Sequence, residues 1–504
     1  MAARAVMVVG TASNVGKSWL ATGLCRLLRR AGIRVAPFKA QNMSNNAFAT
    51  KDGGEIGWAQ AAQAEAAGLE PTVDMNPILL KPTSETGSQV IVRGRIHRTM
   101  AAGEFPAFRA EAKAAIEASY ARLAREFDLI VIEGAGSPAE VNLRDRDLAN
   151  LWMARLAGAT VLLVADASGA GALASAVGTL ALLAPDERAC VLGLVLNQCP
   201  GPLPGPSRTT CEYRTGLPLL GAVPRVADLW IPGEDSVVLE SDAEGEAWAS
   251  APVRIGVVWT PRIANFTDFD PLRLEPGVSL RYARRPEEVA EADLILLPGS
   301  KNTIGDLEYL RGAGIAAAIA RARRFGAMVG GLCGGYQMLG RWVDDSHGME
   351  GPPRRADGLG LLEVTTVLSP AKATYQVTAC VEPGCPWPVV EPLEGYEIHL
   401  GETGGVGEAV PLLALRRRGA AILDGAVTPD GSVWGTYLHG IFDNPGFRRA
   451  VVNAVRRAKG LPSLDAPLGP TARAAKEAQY DRLADVLRRH LDWRRVCEAV
   501  GLTA

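Results

Sequence analysis

Short apolar runs separated by helix-compatible stretches recur along the whole chain, and this alternation limits the fold more than any other feature. The runs lie at 5–9, 129–132, 160–165 and 191–196 in the first half and at 253–258, 294–297 and 433–438 in the second. Near-continuous apolar strands of this kind are buried on both faces, so the expected class is α/β with largely parallel sheets. With 504 residues the chain exceeds one small module. The runs fall into two groups, giving units at 1–235 and 252–450 and a tail at 451–504. Between them, the region from Pro200 to Ala251 reads as irregular, because Pro200, Pro202, Pro204 and Pro206 precede an acidic stretch near 234–247. In the tail, Leu483, Val486, Leu487, His490 and Leu491 recur at helical spacing and predict a helix that packs on a domain.

Composition removes several function classes. Fifty-three Lys and Arg against 55 Asp and Glu leave a net charge of −2, so no global basic field exists to hold nucleic acid. The eight cysteines form no C-x-x-C pair, which argues against a disulfide framework or a thiolate zinc site and fits a reducing cytoplasm. The apolar run at Ala5–Val9 is too short for a secretory signal. The uncharged stretch from Ala167 to Pro185 is mostly Ala and Gly and reads as a loop and buried helix, so no membrane insertion is expected.

The first unit opens on Gly10-Thr11-Ala12-Ser13-Asn14-Val15-Gly16-Lys17-Ser18, directly after a strand and before a helix whose apolar face is Leu20, Leu24, Leu27 and Leu28. This is the setting of a phosphate-binding loop. Backbone N–H groups of Thr11, Asn14, Val15 and Gly16 face phosphate oxygens, Lys17 reaches the outer phosphates, and the Ser18 hydroxyl suits Mg²⁺. Five residues rather than four separate Gly10 from Gly16, a variant that resembles the dethiobiotin-synthetase-like branch of P-loop proteins. A second strand, 129–132, ends in Glu133, whose carboxylate points into the crevice where parallel sheets bind ligands and is the second metal candidate. Asn197 ends the strand at 191–196 and stands where the resembling branch reads adenine. Glu55 and Glu140 are further acidic candidates near this site.

The second unit carries Gly330-Gly331-Leu332-Cys333-Gly334-Gly335-Tyr336-Gln337. A cysteine between close glycines at a strand-to-helix turn is what a nucleophile elbow requires: the turn exposes the sulfur and small neighbours admit the substrate. His439, at the end of the run from Val433, is the general base. The turn at Pro298-Gly299-Ser300-Lys301 supplies N–H groups that join that of Gly334 in an oxyanion hole. His399 is placed near the site, whereas His97, His347 and His490 read as ordinary polar residues.

Long strings in order then make the chain resemble the cobyric acid synthase family, the glutamine-hydrolysing synthases of cobalamin biosynthesis. They are Lys39–Asn46, Met75–Pro82, Glu133–Leu143, Asn265–Asp270, the Cys333 elbow, Gly395–His399 and Tyr437–Gly440. The resemblance implies a P-loop synthetase unit followed by a class I glutamine amidotransferase unit, with ATP and Mg²⁺, no prosthetic group, and glutamine and a corrinoid as substrates. It implies that Cys333 attacks the glutamine amide, that Gln337 contacts bound glutamine, and that ammonia amidates carboxylates activated as acyl phosphates. Typical triad amidotransferases carry His-x-Glu, but Gly440, Ile441, Phe442 and Asp443 follow His439. A Cys–His dyad is therefore expected, with any orienting acid distant and Asp443 the residue to test. Two rival readings are cobyrinic acid a,c-diamide synthase, which the Gln41-Asn42-Met43 and Met75-Asn76-Pro77 strings oppose, and a partitioning ATPase, which has no need of an exposed cysteine.

Overall fold

The computed structural model describes residues 3–502 except 84–86, 141–146, 227–228, 232–244, 388, 406 and 466. Val141, Asn142 and Leu143 of the Glu133–Leu143 string, and most of the acidic stretch near 234–247, lie outside the described residues. Two parallel sheets organise the chain, as the apolar runs require. In the first, the spatial order is Leu219–Pro224, Val191–Cys199, Thr160–Asp166, Arg4–Gly10, Leu129–Glu133 and Val35–Phe38. All its pairings are parallel. The second runs Val278–Ala283, Val253–Val258, Leu294–Leu297, Met328–Leu332, Val433–Thr436 and Ala426–Val427, with only the last pair antiparallel.

These orders place both sites. The P-loop leaves Arg4–Gly10, a central strand, and Glu133 ends the neighbouring one. In the second sheet, Cys333 follows Met328–Leu332, flanked by the strands that lead to Gly299 and His439. Both constellations therefore sit at the carboxyl ends of adjacent central strands, where open α/β sheets form their ligand crevice.

The region from Pro200 to Ala251 is not wholly irregular. It contains helix Gly205–Thr215 and the edge strand Leu219–Pro224. Its prolines mark a helix start: Pro204 is the N-cap and Pro206 lies in the first turn, where a missing N–H costs nothing. Helix Ala172–Leu182 differs from expectation as well, because only Ala176, Thr179 and Leu180 are buried and Leu182 is half exposed. Among the described residues, no helix is long and apolar enough to cross a membrane.

The chain's last segment returns to its beginning. Helix Pro445–Ala458 stays with the second sheet, but helix Ala472–His490 packs on helix Lys17–Arg30 of the first unit, sharing a core through Leu483, Val486 and Leu487. Fully burying each such leucine contributes about 1.5–3 kcal/mol. The buried Arg26 fixes the register by a bidentate bond to Asp481 and an ion pair with Glu477 at 2.7 Å. His490 stays exposed.

Candidate active site

The candidate residues form two groups, one at the P-loop of the first unit and one at the Cys333 elbow of the second. In the first, the helix after the P-loop starts at Lys17 with Gly16 as N-cap at φ 95°, a conformation that glycine tolerates and side chains resist. A Cβ on Gly10 would meet Val15 Cγ2 at 2.6 Å and the Ala12 carbonyl at 2.8 Å, so the turn closes only around glycine. Lys17 curls over the loop and donates to the carbonyls of Ala12 at 2.8 Å and Gly136 at 3.1 Å. Thr11 is half-buried and its N–H is used by the Val164 carbonyl, whereas Ala12 to Asn14 are exposed. Asn197 is buried behind the loop and donates from Nδ2 to the Val15 carbonyl at 2.9 Å.

Glu133 is fully buried. Ser18 Oγ donates to its Oε1 at 2.8 Å, Lys39 Nζ reaches the same oxygen at 2.9 Å, and Gln63 Nε2 donates to Oε2. The paired oxygens of Ser18 and Glu133 are a hard donor set of the kind Mg²⁺ selects. Gln41 Oε1, Asn45 Oδ1 and Gln63 Oε1 are buried acceptors without a hydrogen-bond partner, the first two in the 39–46 string and the third on the helix Trp58–Ala67. Lys39 and Gln63 were not among the sequence candidates, nor was Gln60, whose Nε2 lies 3.5 Å from Glu133 Oε2. Lys39 opens one of the strings above, and the two glutamines recur one helical turn apart in an alanine-rich helix, a pattern that marks one face for polar work. Glu140 is exposed in the loop after Glu133.

In the second group, Cys333 has φ 51° and ψ −111°, a strained conformation for a non-glycine residue. Its neighbours must be small. A Cβ on Gly335 would fall 2.1 Å from the Leu297 carbonyl oxygen, and one on Gly334 would fall 2.7 Å from the Ser300 nitrogen. That second contact brings the elbow against the Gly299–Ser300 turn. Cys333 Sγ donates to the Ile398 carbonyl at 3.5 Å and shares its cavity with the His439 side chain. Gln337 is buried, donating to the Leu400 carbonyl at 2.8 Å and accepting from Thr303 Oγ1 at 3.0 Å. One cavity is lined by Cys333, Gly299, Gln337, His399 and His439. His399 stacks on Tyr437 with ring centroids 3.7 Å apart. His97 and His347 lie outside this cavity.

The acid behind His439 is Asp268, which sequence spacing did not reveal. Its Oδ2 is 2.7 Å from His439 Nδ1, and its Oδ1 accepts from the Gly440 N–H at 3.0 Å. Burial alone would push the imidazole down, but the Asp268 charge and hydrogen bond, with help from Cys333, hold it up at about 10. Asp268 belongs to the Asn265–Asp270 string, which was the available signal. Asp443 lies instead in a neighbouring cleft shared with Asp268, and burial pushes its carboxyl up to about 6.

The first unit reaches into this site. Asn265 bonds both backbone groups of Ala47, at 2.9 and 3.2 Å, and its Nδ2 lies 3.4 Å from His439 Nδ1. Glu55 is not at the P-loop: it is buried between Lys81 and Lys372, both of which line the Cys333 cavity.

Comparison with known proteins agrees with this division. Residues 6–236 match the family model for the CobQ/CobB/MinD/ParA nucleotide binding domain, and residues 254–447 match that for the CobB/CobQ-like glutamine amidotransferase domain. The cobyric acid synthase of Sorangium cellulosum is 47% identical over 100% of this chain and 99% of its own. That of Pelotomaculum thermopropionicum is 48% identical over 99% of this chain and 97% of its own. Among solved structures, PurLQS from Thermotoga maritima matches at 18% identity and TM-score 0.31, covering 41% of this chain and 98% of that one. With near-complete coverage at this identity, the chain belongs to the cobyric acid synthase family and is a glutamine-dependent amide ligase.

Proposed function

We propose that the protein uses ATP and glutamine to amidate the b, d, e and g carboxylates of adenosylcobyrinic acid a,c-diamide, giving adenosylcobyric acid. The observation that carries this reading is the Cys333, His439 and Asp268 line opening on a cavity whose wall includes Lys81 of the nucleotide-binding unit. The Cys333 thiol passes its proton to His439 as Sγ attacks the side-chain amide carbon of glutamine, and the backbone N–H groups of Gly299 and Gly334 receive the developing oxyanion. His439, charged by that proton and held so by Asp268, then gives it to the departing nitrogen, releasing ammonia and leaving a thioester that water hydrolyses to glutamate. A carboxylate resists attack by ammonia, so the first unit must convert it to an acyl phosphate. Lys17 and the loop N–H groups of Asn14, Val15 and Gly16 hold the phosphates of ATP, the Thr11 N–H being taken by the Val164 carbonyl, and Asn197 serves adenine recognition from behind the loop. Ser18 and Glu133 would hold Mg²⁺, which neutralises phosphate charge when bound. Phosphate leaves as ammonia attacks, and an amide results.

Purified protein given ATP, Mg²⁺, glutamine and adenosylcobyrinic acid a,c-diamide is expected to convert its four free carboxylates to amides in successive steps visible by mass spectrometry. No turnover of that diamide, with turnover of unamidated cobyrinic acid, would move the assignment to the a,c-diamide synthase.

A further inference from the structure

The thiol cavity carries more charge than the amide chemistry uses. Lys81, Lys301 and Lys372 line it, against Glu350 as the acid in its wall. Lys81 and Lys372 share one buried carboxylate, that of Glu55, while Lys301 Nζ donates to the neutral Gln89 Oε1 at 2.9 Å. Three ammonium groups therefore meet two carboxylates in a buried space, where an unbalanced charge is costly. Glu350 accepts from the Thr303 N–H at 2.6 Å and its hydroxyl at 3.1 Å, which fixes the carboxylate at the cavity's edge. Burial drives Lys301 down and Glu350 up, so both gain from an incoming partner of opposite charge. Hydrolysing a side-chain amide requires none of these charges. Reading the other end of the substrate does, because glutamine is a zwitterion.

We infer that Lys81 and Lys301 bind the α-carboxylate of glutamine and Glu350 its α-ammonium group, so that the glutaminase site is composite and the nucleotide-binding unit supplies one of its specificity residues. This rests on the glutaminase reading of Cys333. It also gives Glu55 a role: buried between Lys81 of one unit and Lys372 of the other, it holds the first unit's lysine at the second unit's thiol. An amide donor is then selected by its amino-acid end only while the two units are docked.

The test compares ammonia release from glutamine and from 4-aminobutanamide, which is glutamine without its α-carboxylate, by the full-length chain. Lys81→Met is expected to lower kcat/KM for glutamine by roughly 10- to 100-fold, as loss of a charged hydrogen bond does, and to act through KM. The same variant is expected to lose far less on 4-aminobutanamide than on glutamine, so the preference for glutamine collapses. Equal losses on both amides, or no loss on either, would overturn the assignment. Should Lys81→Met fail to fold, Lys301→Met in the other unit must give the same selective change. A parent protein that releases no glutamate from glutamine would sink the glutaminase reading itself, an outcome separate from the preference measured in the variants.

Discussion

Cys333→Ser is expected to abolish glutamate release and glutamine-driven amidation while leaving ammonium-driven amidation near the parent level. The serine hydroxyl fits the same strained elbow, so the fold should survive, but it is a far weaker nucleophile than a thiol paired with an imidazolium. The first unit needs only ammonia and an activated carboxylate, and its P-loop, Glu133 and Lys39 lie outside the thiol cavity. High ammonium should therefore restore product in the variant. Glutamate release by Cys333→Ser at the parent rate would remove the thiol from the reaction. Failure of ammonium to restore synthesis would mean that the second unit contributes to amide formation beyond supplying nitrogen.

Most of what this pair of activities requires is local, and local features are what a sequence displays. A P-loop is one strand, one turn and one helix, so Gly10 to Ser18 and Leu20 to Leu28 were legible together. The same holds for the elbow, where the crowding that forces glycine at 334 and 335 comes from the turn at Leu297 to Ser300, itself marked by Pro298 and Gly299. Strands buried on both faces were legible for the same reason, since their apolar character does not depend on which neighbour they pair with. What stayed hidden needs two distant pieces of chain to meet. Asp268 reaches His439 from 171 residues away, and no spacing rule connects them. Glu55 was an acidic candidate near the first site with no role assigned, yet a short antiparallel pair carries it toward Lys372 in the other unit. The tail helix could be recognised by its apolar stripe. Its partner could not, because a stripe of leucines on Ala472–His490 carries no information about which of two cores it completes.

The position of Asp268 leads to the most discriminating expectation about the thiol site. Asp268→Asn is expected to lower glutaminase kcat/KM by roughly 10²–10⁴-fold, the range set by removing the acid of a nucleophile–His–acid line. The pH profile distinguishes this role from simple loss of packing. With Asp268 present, the imidazole titrates at about 10, so the charged form that protonates the leaving nitrogen persists across the neutral range. Without the carboxylate, burial remains as the main influence and pushes the imidazole downward. The alkaline limb of kcat/KM should then fall from about 10 to neutrality or below, and residual activity should peak on the acid side. Asp443→Ala is the matched control: Asp443 neighbours Asp268 without bonding His439, so its removal should leave both the rate and the alkaline limb close to those of the parent. A profile in Asp268→Asn with an unshifted limb, or one in Asp443→Ala with the shift instead, would reassign the acid.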